Sequence, residues 1–130
     1  MEKNEKREER AWKRVGHGQR FLNAFRGARV FWSATNNLFA WVSVLGILLA
    51  IVFGLYFHIS TTEWLFVFLA IGLVFIAEMF NTAIEIDIDL TSPEYHPYAR
   101  DTKDVAAAAV VFSVFVAGII GLVIFLPKIF

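Results

Sequence analysis

Three long apolar runs, separated by short polar connections, dominate the hydrophobic pattern of the chain. They cover residues 38–57, 64–86 and 105–126. Each run approaches or exceeds the roughly 20 residues that a helix needs to cross a hydrocarbon layer about 30 Å thick. A retained span explains the first run better than a cleaved signal peptide, because 37 residues precede it and no small-residue cleavage pattern follows it. The pattern therefore predicts an all-α integral membrane protein with three transmembrane helices.

The segment before the first run is polar and divides into two parts. Residues 1–19 form a charged tail, predicted to be cytoplasmic, and four glutamates there offset much of the basic charge. A role in binding nucleic acid is therefore not expected. The next stretch, RFLNAFRGARVFW from Arg20, mixes aromatic residues with arginines, as in an amphipathic helix at the membrane surface. A plain helical lead-in to the first span explains the same residues, and we expect residues 20–130 to form one three-span domain.

Composition and charge support this topology. Of the 130 residues, 58% are hydrophobic, an apolar share that a soluble domain of this length rarely reaches. Nine of the twelve lysines and arginines lie in the first 29 residues, and the connection between the second and third runs holds Arg100 and Lys103. The positive-inside rule then predicts a cytoplasmic N-terminus and an external C-terminus. Cysteine is absent from the sequence, which excludes disulfides and thiolate metal sites.

Several polar residues interrupt the inner half of the second run. Successive residues of an α-helix are rotated by about 100°. An arc of roughly 80° on one side of the helix therefore contains Glu78, Asn81, Glu85 and Asp89. Asp87 falls on the opposite side. A carboxylate inside the hydrocarbon costs on the order of 2.5–3.5 kcal/mol on insertion scales. Pairing with a basic residue would be a structural explanation, but no lysine or arginine lies in any of the three runs. The pattern therefore indicates a functional site.

These residue types allow more than one chemistry. A carboxylate shielded from water, such as Glu78, can accept a proton from a substrate hydroxyl, and Glu85 at the cytoplasmic edge can hold Mg²⁺, which prefers oxygen ligands. Lys103 and Asp104 at the start of the third run add a phosphate contact and a polar anchor. Phosphoryl transfer at the membrane boundary uses such a set. Ion or proton translocation also uses intramembrane carboxylates, but no ionisable group lies between Glu63 and Glu78 to continue a path.

A motif spanning the second and third runs resembles the prokaryotic diacylglycerol kinase and undecaprenol kinase family of small membrane lipid kinases. That family has the pattern E-x-x-N-[ST]-A-I-E-x-x-x-D, then a short polar connection and A-K-D before small residues. The positions that match are Glu78, Asn81, Thr82, Ala83, Ile84, Glu85, Asp89, Lys103 and Asp104, and Glu94, Tyr95 and His96 match in the connection. The resemblance extends over about residues 20 to 127.

The resemblance implies an ATP-dependent kinase that phosphorylates diacylglycerol or undecaprenol at the inner leaflet of the bacterial cytoplasmic membrane. It also implies a homotrimer with composite active sites and Mg²⁺ as cofactor. Glu78 would be the general base and Glu85 the metal ligand. The residues implied to bind the nucleotide are Asn81, Glu85, Asp89, Glu94, Tyr95, His96, Lys103 and Asp104.

The chain departs from the family pattern at one metal ligand. Members carry a glutamate near the start of the first span, and alignment through Gly27 and Trp32 places Thr35 at that position. Thr35 and Asn36 are then weak helper ligands, because they bring oxygen atoms without charge. An inactive family member with a structural or lipid-binding role is the alternative function that this departure suggests.

Overall fold

A computed structural model describes residues 16–34 and 38–130, and within these ranges the chain forms helices joined by short turns, without strands. The helices are α1 (His17–Ala34), α2 (Leu38–Tyr56), α3 (Thr61–Thr91) and α4 (Pro97–Ile129). The all-α class predicted from the sequence is therefore confirmed. Most of the predicted tail, as well as the proposed helper ligands Thr35 and Asn36, lies outside the described residues.

Helix α1 is a unit separate from the other three helices. It begins at His17, and its first turn is closed by the N–H of Arg20, which donates to the carbonyl of Gly16. Phe21 and Phe25 lie one turn apart and meet edge to face, with ring centroids 5.2 Å apart. Both rings are exposed to the surroundings of the helix. A location at the membrane surface remains a prediction for this helix.

A tight turn reverses the chain between α2 and α3. The N–H of Ile59 donates to the carbonyl of Gly54, and that of His58 to the carbonyl of Leu55, which is the Schellman pattern at a helix end. His58 has a φ of 49°, the left-handed conformation that this pattern requires and that glycine usually supplies. Ser60 then starts α3 with a capping box, in which its hydroxyl accepts from the N–H of Glu63 while the Glu63 carboxylate accepts from the N–H of Ser60.

Helices α3 and α4 pack along much of their length, and α2 contacts both less extensively. The buried apolar cluster lies near the α2–α3 turn and includes Val67 and Phe125. Gly54 allows the close approach of α2 and α3 there, because a Cβ at this position would lie only 2.6 Å from the indole ring of Trp64. An ion pair of 2.9 Å between Lys128 and Glu63 joins α3 and α4 at the same end.

The predicted polar connection from residue 87 to 104 is mostly helical. Helix α3 continues to Thr91 and α4 begins at Pro97, so that only residues 92–96 are non-helical. Pro97 occupies the first turn of α4, where its missing N–H costs no hydrogen bond. By a rise of 1.5 Å per residue, α3 and α4 are about 46 and 50 Å long. Both helices therefore exceed the thickness of the hydrocarbon layer.

Two helices, α3 and α4, are long and apolar enough to cross a membrane, while the apolar part of α2, Trp41–Tyr56, is shorter. The predicted runs 64–86 and 105–126 lie within α3 and α4, and the run 38–57 corresponds to α2. The count of three spans therefore remains a prediction.

Candidate active site

The polar residues of α3 run from the interior of the bundle to its surface. Glu78 and Asn81 are buried, with 4% and 5% of their surface exposed, Glu85 is half-buried and Asp89 is exposed. Asp87, on the opposite side of the helix, is exposed as well. The structure therefore places the two residues predicted to lie deepest where water has little access.

Asn81 connects the buried part of this face to Glu85. Its Nδ2 atom donates a hydrogen bond of 2.9 Å to Oε1 of Glu85, one turn further along the helix. Two buried acceptors nearby, Oε1 of Glu78 and Oδ1 of Asn81, have no hydrogen-bond partner. Buried polar atoms in folded proteins are nearly always paired. The site is therefore suited to receive a hydroxyl donor or a cation from a ligand.

Ser43 of α2 lies next to the Glu78 carboxylate, a placement that sequence reasoning missed. Its hydroxyl oxygen is buried and lies within reach of that carboxylate, but makes no hydrogen bond of ordinary geometry. The sequence does contain a signal, because Ser43 is the only serine or threonine in the apolar run 38–57. Ser43 adds a third unpaired oxygen to the buried end of the site.

A charged layer covers the opposite, exposed end of the site. Lys103 of α4 forms an ion pair with Asp89 of α3, so the structure brings together two residues that the family resemblance assigns to the nucleotide. Arg100, which was not predicted to be a site residue, donates to Asp101 at 3.0 Å and lies 3.9 Å from the Asp104 carboxylate. The layer holds two cations within reach of solvent.

The three residues of the connection lie apart from the buried pair. Glu94, Tyr95 and His96 are exposed, and no hydrogen bond found in residues 38–130 joins them to Glu78 or Asn81. The hydroxyl of Tyr95 accepts from Arg100 at 3.5 Å, while His96 precedes α4 as its N-cap without a side-chain hydrogen bond to the helix. The connection is therefore accessible to a soluble ligand such as a nucleotide.

The described residues offer only part of a metal site. No group of three or more histidine, cysteine, aspartate or glutamate residues with a geometry for metal binding occurs within 16–34 and 38–130. Glu85 and the unpaired Oδ1 of Asn81 supply oxygen atoms one turn apart. Mg²⁺ usually takes one or two carboxylates and completes its shell with water and substrate phosphates. The residues present fit an ion held jointly with a phosphorylated ligand.

Comparison with known proteins supports the motif-based resemblance. Residues 22–125 match the family described as prokaryotic diacylglycerol kinase. The chain is 47% identical over 75 residues to an undecaprenol kinase of Bacillus subtilis, covering 58% of this chain and 61% of that protein. It is 32% identical over 87 residues to a diacylglycerol kinase of Helicobacter pylori, covering 62% and 68%.

A third relative, a diacylglycerol kinase of Escherichia coli, is 32% identical over 71 residues, which cover 55% of this chain and 58% of the relative. The alignments thus span about three fifths of the relatives' length. No solved structure matches the chain significantly. The family match and the two long apolar helices together indicate a bacterial membrane protein. The chain belongs to the prokaryotic diacylglycerol kinase family.

Proposed function

We propose that the protein is an ATP-dependent lipid kinase that phosphorylates the hydroxyl of a membrane lipid at the inner leaflet. The observation that carries the proposal is the Glu78 carboxylate, which is buried in an apolar helix and has an oxygen without a hydrogen-bond partner. Such an oxygen can receive the proton of an alcohol. Membership of the family and the names of its relatives support this activity.

In this mechanism Glu78 is the general base. The lipid hydroxyl donates to Oε1 of Glu78, the proton moves to that carboxylate, and the hydroxyl oxygen bonds to the terminal phosphorus of ATP. The bond between that phosphorus and the bridging oxygen breaks, and ADP leaves. Phosphoryl transfer depends mainly on positioning and on neutralising charge, so the remaining residues act by holding the phosphates.

Glu85 and Asn81 are the residues that would hold Mg²⁺ in this proposal. Bound Mg²⁺ neutralises charge on the nucleotide phosphates. Asn81 orients the Glu85 carboxylate through its 2.9 Å hydrogen bond and leaves its own Oδ1 free for a ligand. Thr35 and Asn36 remain proposed helper ligands, and their positions lie outside the described residues.

The nucleotide is proposed to lie over the charged layer at the exposed end of the site. Lys103 supplies a cation for a phosphate, and Asp89 positions that cation through their ion pair. Asp104 extends the layer along α4, next to Arg100. The exposed connection with Glu94, Tyr95 and His96 lies beyond it and is the proposed contact for the rest of the nucleotide.

The arrangement in the membrane is proposed from the charge pattern and the family. We place the N-terminus in the cytoplasm and the C-terminus outside, with α2, α3 and α4 as three spans and α1 at the membrane surface. A homotrimer is proposed from the family resemblance, and the many large apolar side chains that are exposed on the single chain support it, because they are available to lipid and to other subunits. No nucleic-acid partner is expected.

The acceptor lipid is proposed as diacylglycerol or undecaprenol, in line with the names of the relatives. Both present a primary hydroxyl on an apolar body, so Glu78 would serve either acceptor. The higher identity to the Bacillus subtilis undecaprenol kinase favours the polyprenol. A competition assay with both lipids in one bilayer would identify the preferred acceptor.

The proposal is tested with purified protein and ATP labelled at the terminal phosphate. Glu78→Gln and Glu85→Gln should each abolish transfer to the lipid, because one loses the base and the other a charged metal ligand. Asp87→Asn is the matched control, since Asp87 lies on the same helix but is exposed on the opposite side. Full activity in either glutamine variant would disprove the assigned roles.

A second candidate function is that of an inactive family member, which the threonine at position 35 favours. Such a protein would not bind Mg–ATP in a titration, although it would assemble normally. Thr35→Glu separates the two candidates, because a large gain in transfer would show that the site lacks only a metal ligand. Mg–ATP binding and transfer by the wild-type chain would exclude the inactive form.

A further inference from the structure

An apolar cavity of about 340 Å³ lies between α2, α3 and α4. Among the described residues that line it, Ser43 is the only polar one. The lining extends along α2 from Val42 to Phe53, and the ten residue steps from Ser43 to Phe53 correspond to about 15 Å of helix. The volume of the cavity falls in the lower part of the range of about 300–1,000 Å³ that is typical of pockets for small ligands.

The cavity ends next to the candidate active site. Val74 lines the cavity and precedes Glu78 by one helical turn, while Ser43 both lines the cavity and lies beside the Glu78 carboxylate. Ser43 Oγ and Glu78 Oε1 are buried without hydrogen-bond partners. The cavity therefore has one polar end with two unpaired oxygens and an apolar remainder.

The hydroxyl of Ser43 makes no hydrogen bond to the backbone of its own helix. A buried serine can bond to a carbonyl of its own helix. Ser113 of α4 does so, because its hydroxyl donates to the carbonyl of Val110 at 2.7 Å. Ser43 makes no such bond to its own helix, and its hydroxyl lies within reach of the Glu78 carboxylate without a well-formed hydrogen bond, so an alcohol oxygen can bind between the two.

The hydrogen-bonding capacities of the two oxygens match an alcohol. An alcohol has one donor and two acceptor lone pairs, and an ionised carboxylate only accepts. The alcohol can therefore donate to Glu78 while its oxygen accepts from the hydroxyl of Ser43. A water molecule could bind this pair too, but it would leave the apolar length of the cavity unexplained.

We propose that Ser43 is a substrate-binding residue that donates a hydrogen bond to the hydroxyl oxygen of the lipid acceptor, whose apolar chain occupies the cavity. The inference rests on the proposed function for the identity of the acceptor as a membrane alcohol. Ser43 then keeps the hydroxyl oxygen next to Glu78, and the cavity selects a lipid with a flexible apolar chain.

The first test compares two serine-to-alanine variants in the kinase assay. Ser43→Ala should raise the KM for the lipid about 3- to 10-fold, the effect of losing one neutral hydrogen bond, while the KM for Mg–ATP stays unchanged. Ser113→Ala is the matched control, because the Ser113 hydroxyl is also buried but is already bonded within its own helix. Equal lipid KM values in the two variants would overturn the inference.

The second test measures binding without catalysis, as a shift in the unfolding temperature of the full chain in detergent. The probes are dioctanoylglycerol, its analogue with hydrogen in place of the hydroxyl, and farnesol as a short polyprenol. An alcohol that binds the folded state should raise the unfolding temperature of the wild type more than the analogue does. The difference between the shifts caused by the alcohol and by the analogue should be lost in Ser43→Ala and kept in Ser113→Ala.

The third test fills the cavity. Gly46→Leu places a side chain in it, whereas the control Gly72→Leu adds the same side chain outside it, and neither added Cβ would meet an atom within 4 Å. Only Gly46→Leu should abolish the shift caused by the alcohols. The inference would be overturned if Gly46→Leu still bound the lipid but no longer formed the oligomer. That result would show that another subunit occupies the cavity.

The outcomes separate this inference from the proposed function. A hydroxyl-dependent shift in the wild type without any phosphate transfer would disprove the kinase and leave the binding site in place. The opposite outcome is a wild type that transfers phosphate but shows the same unfolding temperature with the alcohols and with the analogue. That outcome would disprove the binding site and leave the kinase.

Discussion

Replacing Asn81 by leucine tests the connection between the buried base and the metal ligand. Leucine has a similar shape but removes both the donor to Glu85 and the unpaired Oδ1. A hydrogen bond to a charged group contributes about 1.5–3 kcal/mol. Because Glu85 is half-buried and water can replace part of the lost bond, the lower end of that range, about 1.5–2 kcal/mol, applies. This corresponds to a loss of about 10- to 30-fold in kcat/KM.

The assay measures initial rates with Mg–ATP varied at saturating lipid, and with lipid varied at saturating Mg–ATP. For Asn81→Leu we expect the loss in kcat/KM for Mg–ATP, while the KM for the lipid stays within two-fold of the wild type. Ser113→Ala, a buried polar replacement on α4, controls for general effects on packing. An unchanged kcat/KM for Mg–ATP, or a rise confined to the lipid KM, would refute the role of Asn81 in orienting Glu85.

Three further predictions concern the α2–α3 turn and the end of the bundle near it. Gly54→Ala should destabilise the fold by about 1–3 kcal/mol through overpacking against Trp64. The double variant with Trp64→Phe should recover much of that stability, as measured by thermal unfolding in detergent. His58→Gly should stabilise by up to about 1 kcal/mol in the same measurement, because glycine adopts the φ of 49° without strain. The hydrogen bond from Lys128 and those within the capping box lower the pKa of Glu63 from 4.5 to about 2. The stability that these hydrogen bonds to the ionised Glu63 contribute is therefore present above about pH 4.5 and is lost as the pH falls towards 2. In this pH range the unfolding temperature of Lys128→Gln should depend less on pH than that of the wild type.

The helices and the polar face could be predicted from the sequence because both depend on local periodicity. Apolar runs located α2, α3 and α4, and the spacing of Glu78 and Asn81 placed them on one side of a helix that the structure buries. The motif also indicated the family to which the chain belongs. These features follow from composition and from the geometry of a single helix.

Contacts between helices could not be predicted in the same way. The ion pair of Asp89 and Lys103 depends on the helical continuation of a segment whose polarity and prolines indicated a connection. The position of Ser43 next to Glu78 depends on the rotation of α2 against α3, which hydropathy does not determine because α2 is apolar all around. Both depend on the packing of one helix against another, which the pattern within a single helix does not determine.

The two ion pairs that join α3 and α4 also relate the protein to the thickness of its bilayer. One pair holds Glu63 and the other Asp89, and the 26 residue steps from one to the other correspond to about 39 Å of helix. In the proposed membrane arrangement each pair falls within a headgroup layer, because a bilayer measures about 40–45 Å with its headgroups. Because α3 and α4 also pack along much of their length, a thinner bilayer would tilt the two helices together. The depth of Glu78 below the headgroups would then vary with the chain length of the surrounding lipids.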